Sequence, residues 1–123
     1  MRSLSVLVGD DNATVLSALK AMLADACVVE TASGGTEIIK LFLSKSFDAV
    51  VLDVVFPSDV TGVQVARKIR ALNPRVPILM MSALPLADTV RDELSSLGAA
   101  FCEKPIRPDR VMEFIRSVAN DAG

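Results

Sequence analysis

The chain has 123 residues, about half of them hydrophobic and few aromatic, which is enough for one domain with an aliphatic core. Thirteen basic and fifteen acidic residues give a net charge of −2, which argues against broad electrostatic binding to nucleic acid or an anionic membrane. Histidine is absent, which excludes Ser-His-Asp and Cys-His catalytic groups, His-ligated metals and a phosphohistidine within the chain itself.

The sequence also indicates where the protein works. The most apolar stretch, residues 76–87, is interrupted by two prolines and a serine, so no segment is long enough to span a bilayer. No secretory signal precedes the first strand-like run. Cys27 and Cys102 lie in apolar segments, as expected of buried thiols in a reducing cytosol rather than of a disulfide. We therefore expect a cytoplasmic protein that forms a single domain over residues 1–123, with a frayed end near residue 120.

The first half of the chain alternates strand and helix patterns. Residues 4–8 are strand-like, and Asn12 is placed to cap the helix that follows. Apolar residues recur at helical spacing over residues 15–23, which predicts that helix. Residues 27–29 form a second short strand, and an apolar stripe over residues 38–42 marks the second helix.

The third strand is the most informative segment. Residues 47–53 form a continuous apolar run, typical of a strand buried on both faces, yet the run ends in the carboxylate of Asp53. A charge in that place is costly unless something uses it. Pro57 stops the strand from continuing, and residues 65–72 have the pattern of a third helix. A fourth strand over residues 77–81 follows.

The last part of the chain repeats the alternation. Residues 90–97 predict a fourth helix, and Gly98 is a natural helix terminator. Residues 99–102 form a short fifth strand, and Pro108 fits the first turn of a last helix. Five strand–helix repeats predict an α/β fold with a parallel sheet covered by helices on both faces.

Polar side chains that could share one site follow four of the five strands, whereas Glu30 and Thr31 after the second strand have no matching role. The side chains that could share a site are Asp10 and Asp11, Asp53, Ser82, and Lys104. In open parallel sheets, sites form beyond the carboxyl ends of the strands, and a strand order of 2-1-3-4-5 would bring these side chains to one edge. Each alone has an ordinary explanation: a helix cap for an aspartate, a turn for the serine, a solvated surface for the lysine. Their joint pattern is much harder to explain that way.

The chemistry of such a cluster is restricted. Carboxylates about 4 Å apart repel by roughly 1 kcal/mol per pair in water and nearer 4 kcal/mol at a protein-like dielectric. Lys104 offsets only part of that repulsion, and Mg²⁺ suits the oxygen ligands that remain. Phosphoryl transfer is the natural reaction, with Asp53 as the nucleophile and with Lys104 and Ser82 holding the phosphoryl oxygens.

The motifs together resemble those of a known family. The matching residues are Asp10-Asp11, Asp53 followed by Pro57, Ser82-Ala83, Gly98-Ala99 and Lys104-Pro105. Over nearly its whole length the sequence resembles the receiver domain of a two-component response regulator. The resemblance implies a doubly wound, flavodoxin-like (βα)5 fold whose central five-stranded parallel sheet has the order 2-1-3-4-5.

The resemblance also implies roles for the acidic residues. Asp53 would be the phosphoacceptor. Asp11 and Asp53, with the backbone carbonyl of Val55, would ligate Mg²⁺, and Asp10 would do so directly or through water. Lys104 would contact the phosphoryl group. The domain would be a phosphoacceptor that assists its own phosphotransfer and dephosphorylation, rather than an enzyme.

Two further residues resemble the family's switch. Ser82 matches the switch hydroxyl, and Phe101 matches the switch aromatic, although a plain core role for Phe101 stays open. The peptide bond between Lys104 and Pro105 would be cis. Two segments depart from the family pattern: residues 57–62 are one residue longer, and residues 98–104 are one residue shorter.

The implied partners are a histidine kinase or a histidine phosphotransfer protein as donor, and a downstream output domain or target protein. A homodimer through helix 4, strand 5 and helix 5 that depends on phosphorylation is also open, whereas direct nucleic-acid and membrane partners are not expected. The apolar Val55 and Leu84, near the site by resemblance, cannot position a hydrolytic water, which predicts slow self-dephosphorylation.

Two alternative functions and one surface feature complete the sequence interpretation. The alternatives are a receiver-like interaction module that works without phosphorylation and an aspartyl-phosphate phosphatase. The second needs an Asp-x-Asp motif, which Asp53-Val54-Val55 lacks. The basic residues around the third helix are expected to form a solvated face; they are Arg67, Lys68, Arg70 and Arg75.

Overall fold

The computed structural model of the protein describes residues 3–56, 60–83 and 85–122. For residues 121 and 122 it describes the backbone alone. Within these residues the chain alternates strand and helix five times. The strands are β1 (Leu4–Gly9), β2 (Cys27–Ala32), β3 (Ala49–Asp53), β4 (Ile78–Ser82) and β5 (Ala100–Glu103). The helices are α1 (Ala13–Leu23), α2 (Gly35–Ser44), α3 (Gly62–Leu72), α4 (Asp88–Ser96) and α5 (Pro108–Ala122). The predicted alternation is therefore confirmed, and α5 runs on past residue 120.

All neighbouring strands of the sheet are parallel, and their order is β2-β1-β3-β4-β5, as predicted. β3 lies at the centre, and each of its five residues is buried. Its apolar run has both faces covered by helices, which is the environment that such a sequence requires. The central position of β3 brings Asp53 to the middle of the sheet's carboxyl edge.

β3 begins at Ala49, two residues later than the sequence pattern suggests. Phe47 is buried and stacks on Phe42 of α2, with ring centroids 6.3 Å apart. The Oδ2 atom of Asp48 accepts a hydrogen bond of 2.7 Å from the backbone N–H of Ser5. These two residues belong to the apolar run but lead into the strand instead of pairing as part of it.

The core has one layer on each face of the sheet. One layer joins the sheet to α2, α3 and α4, and it includes Leu7, Ile38, Leu52, Ile69, Met80 and Leu94. The other joins the sheet to α1 and α5, and it includes Val6, Leu19, Val51, Met81, Val111 and Ile115. Alternate residues of each strand point to opposite faces, so β3 contributes to both layers.

Two helix ends agree with the sequence signals. The Asn12 side chain accepts hydrogen bonds from the N–H groups of Thr14 and Val15, so it caps α1 as predicted. After α4, Gly98 has a φ of 72°, which favours glycine, and its N–H donates to the Ser95 carbonyl. The next amide donates back to the carbonyl of Leu94, which completes a Schellman end.

The expected solvated face of α3 is confirmed for Arg67, Lys68 and Arg75, which are exposed, but it is wrong for Arg70. Arg70 is half-buried, and its guanidinium donates to the backbone carbonyls of Leu97, Asn73 and Val76 at 2.7, 3.2 and 2.8 Å. Arg67 is exposed, but it forms an ion pair with Glu93 of α4. The two side chains lie three residues apart on α3 and attach α4 to it.

Two expectations from composition can also be compared with the structure. Cys27 and Cys102 are buried free thiols, as predicted. Across the described ranges, no helix combines the length and the apolar character that crossing a membrane requires.

Candidate functional site

The buried polar side chains identify the site without reference to any motif. Among the described residues they are Asp10, Asp53 and Ser82, which are 0%, 6% and 2% exposed. Asp10 directly follows β1, Asp53 is the last residue of β3, and Ser82 is the last residue of β4. Because these strands are parallel neighbours, the three side chains lie along one edge of the sheet. This is the convergence that the strand-end pattern predicts.

Three carboxylates meet at that edge. One carboxylate oxygen from each of Asp10, Asp11 and Asp53 lies within 4.8 Å of the other two. Asp10 and Asp53 are buried, whereas Asp11 is exposed and so borders solvent. The Oδ1 atom of Asp10 accepts a hydrogen bond of 2.9 Å from the backbone N–H of Asn12. The arrangement therefore offers oxygen ligands to a cation, with access from the side of Asp11.

Lys104 is the cation of this edge. Its Nζ lies 2.6 Å from Oδ2 of Asp10 and 3.2 Å from Oδ2 of Asp53, and its side chain is 16% exposed. The contact with Asp53 is a hydrogen bond. The closer contact with Asp10 is an ion pair without hydrogen-bond angles, so Asp10 Oδ2 is buried without an aligned donor. The charge of that oxygen is balanced in part by the Lys104 ammonium.

Burial and the neighbouring charges change the pKa values of Asp53 and Lys104. Burial raises the pKa of Asp53, and the nearby Asp10 carboxylate raises it further, whereas Lys104 and the Val55 N–H oppose the rise. Burial acts to lower the pKa of Lys104, but Asp10 and Asp53 outweigh that effect and leave its pKa raised. Lys104 is therefore charged at neutral pH, and its one ammonium group pairs with two of the three carboxyl groups.

The remaining predicted residues surround this cluster. The Val55 N–H lies 3.3 Å from Oδ1 of Asp53, and the Val55 side chain is 48% exposed. The carbonyl of Ser82 accepts a hydrogen bond of 2.8 Å from the Lys104 N–H, which joins the ends of β4 and β5. Phe101 is half-buried against the core layer that includes Leu94. Leu84 lies outside the described residues.

A comparison with known protein families identifies the family of this chain. Residues 6–116 match the model of the response regulator receiver domain. The chain belongs to the response regulator receiver family. It is accordingly a signalling domain of the two-component type, and the carboxylate edge lies where the resemblance puts the family's site.

Curated relatives of this receiver domain are response regulators. The chain is 30% identical over 120 residues to the response regulator MprA of Mycobacterium ulcerans, and this match covers 94% of the chain and 50% of that protein. It is 31% identical over 111 residues to the transcriptional regulatory protein ZraR of Salmonella typhimurium, and this match covers 89% of the chain and 25% of that protein. The chain thus spans half or less of the length of these relatives.

Solved structures of receivers have the same fold. The chemotaxis protein CheY4 of Vibrio cholerae is 26% identical with a TM-score of 0.85, and the match covers 95% of this chain and 99% of that one. A CheY-like receiver domain protein from Methanospirillum hungatei has a TM-score of 0.90 over 98% of this chain and 96% of that chain. At 21% identity, the second comparison concerns the fold alone.

The structure bears on the departures from the receiver pattern. Pro57 and the next two residues lie outside the described residues, but the Gly62 N–H donates to the Val54 carbonyl at 2.8 Å. The longer loop therefore still returns to the end of β3. In the shorter segment, β5 pairs in register with β4 and the peptide bond from Lys104 to Pro105 is cis, as expected.

Two residues near the site were not singled out from the sequence. The guanidinium of Arg91, on α4, lies 5.5 Å from the centroid of the Phe101 ring. Gly62 touches the backbone of Asp53. Arg91 carries no sequence signal, since its contact with Phe101 depends on how α4 lies over β5. The glycine at the start of α3 was a visible signal, but its meaning depends on the return of the loop.

Proposed function

We propose that residues 1–123 form a single receiver domain that accepts a phosphoryl group on Asp53. The observation that carries the proposal is the cluster of three carboxylates within 4.8 Å, with Lys104 in contact with two of them. A structural role alone does not account for this cluster, because two of its carboxylates are buried and, among the described residues, Lys104 pairs with only two of the three.

The cluster fits Mg²⁺. The carboxylates of Asp10, Asp11 and Asp53 would hold it with the backbone carbonyl of Val55, and the buried Oδ2 of Asp10 supports this assignment. Bound Mg²⁺ would supply positive charge that neutralises phosphoryl oxygens. The roles of the four residues are predictions from the resemblance, supported by the donor set and by the charge imbalance around it.

The phosphoryl transfer involves the donor's imidazole and three side chains of this chain. An oxygen of Asp53 bonds to phosphorus as the bond from phosphorus to the donor's imidazole nitrogen breaks. That nitrogen keeps the electron pair and takes up a proton. Lys104 stays charged beside Asp53 and holds a phosphoryl oxygen, and the Ser82 hydroxyl holds another. These 123 residues contain no histidine, so the donor histidine lies outside them, in a histidine kinase or a histidine phosphotransfer protein.

The output follows from the same elements. Phosphorylation would draw Ser82 inward, and Phe101 would follow, which changes the surface of α4, β5 and α5. A downstream output domain or target protein, or a second copy of the chain, would bind that surface in the cytoplasm. The apolar Val55 side chain at the site offers no polar atom to a hydrolytic water, so we expect the phosphorylated form to persist once made.

The proposal is tested by incubating the protein with acetyl phosphate and reading its intact mass. With Mg²⁺ the wild type gains one phosphoryl group, and neither the Asp53→Asn variant nor the wild type in EDTA gains any. A wild type that gains no mass with Mg²⁺ would contradict the proposal and favour an interaction module that works without phosphorylation. Sustained hydrolysis of a phosphate ester would instead favour the phosphatase.

A further inference from the structure

Gly62, the first residue of α3, lies against the backbone of the phosphoacceptor. A Cβ atom at this position would lie 1.9 Å from the carbonyl oxygen of Asp53, 2.8 Å from its carbonyl carbon and 2.7 Å from the Cα of Val54. The Gly62 N–H also donates to the Val54 carbonyl at 2.8 Å. The start of α3 thus approaches Asp53 more closely than any residue with a side chain could.

Neither side of this contact can move away easily. Asp53 ends the fully buried central strand, and the Val54 N–H donates to the Met81 carbonyl of β4 at 2.9 Å. On the other side, a capping box fixes the start of α3: the Thr61 hydroxyl accepts the Gln64 N–H at 3.2 Å, and the Gln64 side chain accepts the Thr61 N–H at 2.8 Å. A side chain at residue 62 would therefore meet backbone on a fixed strand.

The Asp53 side chain is also linked to the backbone that follows it, at residues 54 and 55. Its Oδ1 atom lies 3.3 Å from the Val55 N–H, and Val54 between them accepts the hydrogen bond from Gly62. A displacement of the Asp53 carbonyl would therefore turn the carboxylate and the carbonyl of Val55 together. Gly62 touches none of the reacting atoms itself.

We infer that Gly62 is a positioning residue for the phosphoacceptor. Because it has no side chain, α3 can begin against the Asp53 carbonyl and hold residues 53–55 in the geometry that the metal and the phosphoryl group require. The inference rests on the proposed function of Asp53. Bulk at residue 62 displaces Asp53 by a distance on the order of 1 Å, and such a misplacement costs up to about 10²-fold in rate.

The test compares Gly62→Ala with Ala66→Gly, which removes a buried methyl group from the next turn of the same helix. Three quantities are measured for each variant: the urea midpoint, the rate of phosphorylation by acetyl phosphate, and the Mg²⁺ concentration that half-saturates the amide NMR shifts of residues 53–55. Both variants lower the urea midpoint. Only Gly62→Ala slows phosphorylation, by between 10- and about 100-fold, and raises the half-saturating Mg²⁺ concentration.

A Gly62→Ala variant that phosphorylates and binds Mg²⁺ as Ala66→Gly does would overturn the inference. If the wild type itself gains no phosphoryl group, the proposed function fails instead, and the two failures are distinct. Should Gly62→Ala not fold, Thr61→Ala decides, because it loosens the start of α3 without adding bulk. We expect it to slow phosphorylation and weaken Mg²⁺ binding several-fold relative to Ala66→Gly, and equal values would reject the inference.

Discussion

At Asp53, burial and the nearby Asp10 carboxylate disfavour the ionised form, whereas Lys104 and the Val55 N–H favour it. The first pair of effects is the larger, so the pKa of Asp53 is raised. A carboxyl group whose pKa is higher in the folded than in the unfolded state favours unfolding at every pH above the unfolded value. Asp53 therefore destabilises the metal-free fold at neutral pH.

This sign leads to a prediction for Asp53→Asn. The substitution removes the disfavoured charge and leaves Lys104 paired with Asp10, so in EDTA at neutral pH we expect its Tm to lie above that of the wild type by a few degrees. Differential scanning calorimetry checks this. Asp48→Asn is the control, because it weakens a hydrogen bond to the Ser5 N–H and should lower the Tm. A lower Tm for Asp53→Asn would show that the carboxylate stabilises the metal-free fold.

The sequence could predict which residues form the site because each of them follows a strand. Parallel strands bring their carboxyl ends to one edge, so Asp10, Asp53 and Ser82 converge once the order is known. It could not predict that Lys104 contacts two aspartates, or that one Asp10 oxygen has no aligned donor. Those facts depend on distances of a few ångströms between side chains of different elements.

At the scale of elements, α4 combines a small apolar contact with the core and polar contacts with its neighbours. Among its own described residues only Leu94 is buried. Arg67 of α3 forms an ion pair with Glu93, Arg70 donates to the Leu97 carbonyl, and Arg91 lies over the ring of Phe101. The proposed output surface thus includes a helix that has one buried side chain and several polar contacts with its neighbours.

The sequence predicted this helix and its end but not its attachment. Helical spacing and Gly98 are local signals, and both are confirmed. Arg70 was expected on a solvated face, and no feature of the sequence indicated its hydrogen-bond acceptors. These acceptors are backbone carbonyls, one of them 27 residues away. Only the packing of α3 beside α4 brings these groups into reach.

Arg70→Ala is expected to destabilise the protein by about 1–3 kcal/mol, because three half-buried carbonyls lose a charged donor. Arg67→Ala is the matched control on the same helix. It breaks an exposed ion pair and should cost less than about 1 kcal/mol. Urea unfolding measures both, and hydrogen exchange should show faster opening of the α4 end in Arg70→Ala alone. Equal losses in the two variants would reject the attachment role of Arg70.

For the whole molecule, the alternation of strands and helices was enough to predict the architecture, and the family pattern predicted the strand order. Element ends were less certain: β3 starts later than its apolar run because Phe47 stacks on Phe42 and Asp48 bonds to Ser5. The return of the chain to the end of β3 could not be predicted, since the hydrogen bond from the Gly62 N–H to the Val54 carbonyl depends on the packing of α3.

The most direct test of the account is to map the phosphoryl group to a residue. After reaction with acetyl phosphate and Mg²⁺, borohydride reduction converts an aspartyl phosphate to homoserine, which tandem mass spectrometry locates in the sequence. We predict homoserine at residue 53 in the wild type, and none there when Mg²⁺ is replaced by EDTA. Homoserine at residue 10 or 11 instead, or equal labelling of residue 53 in EDTA, would contradict a magnesium-dependent phosphoacceptor at Asp53.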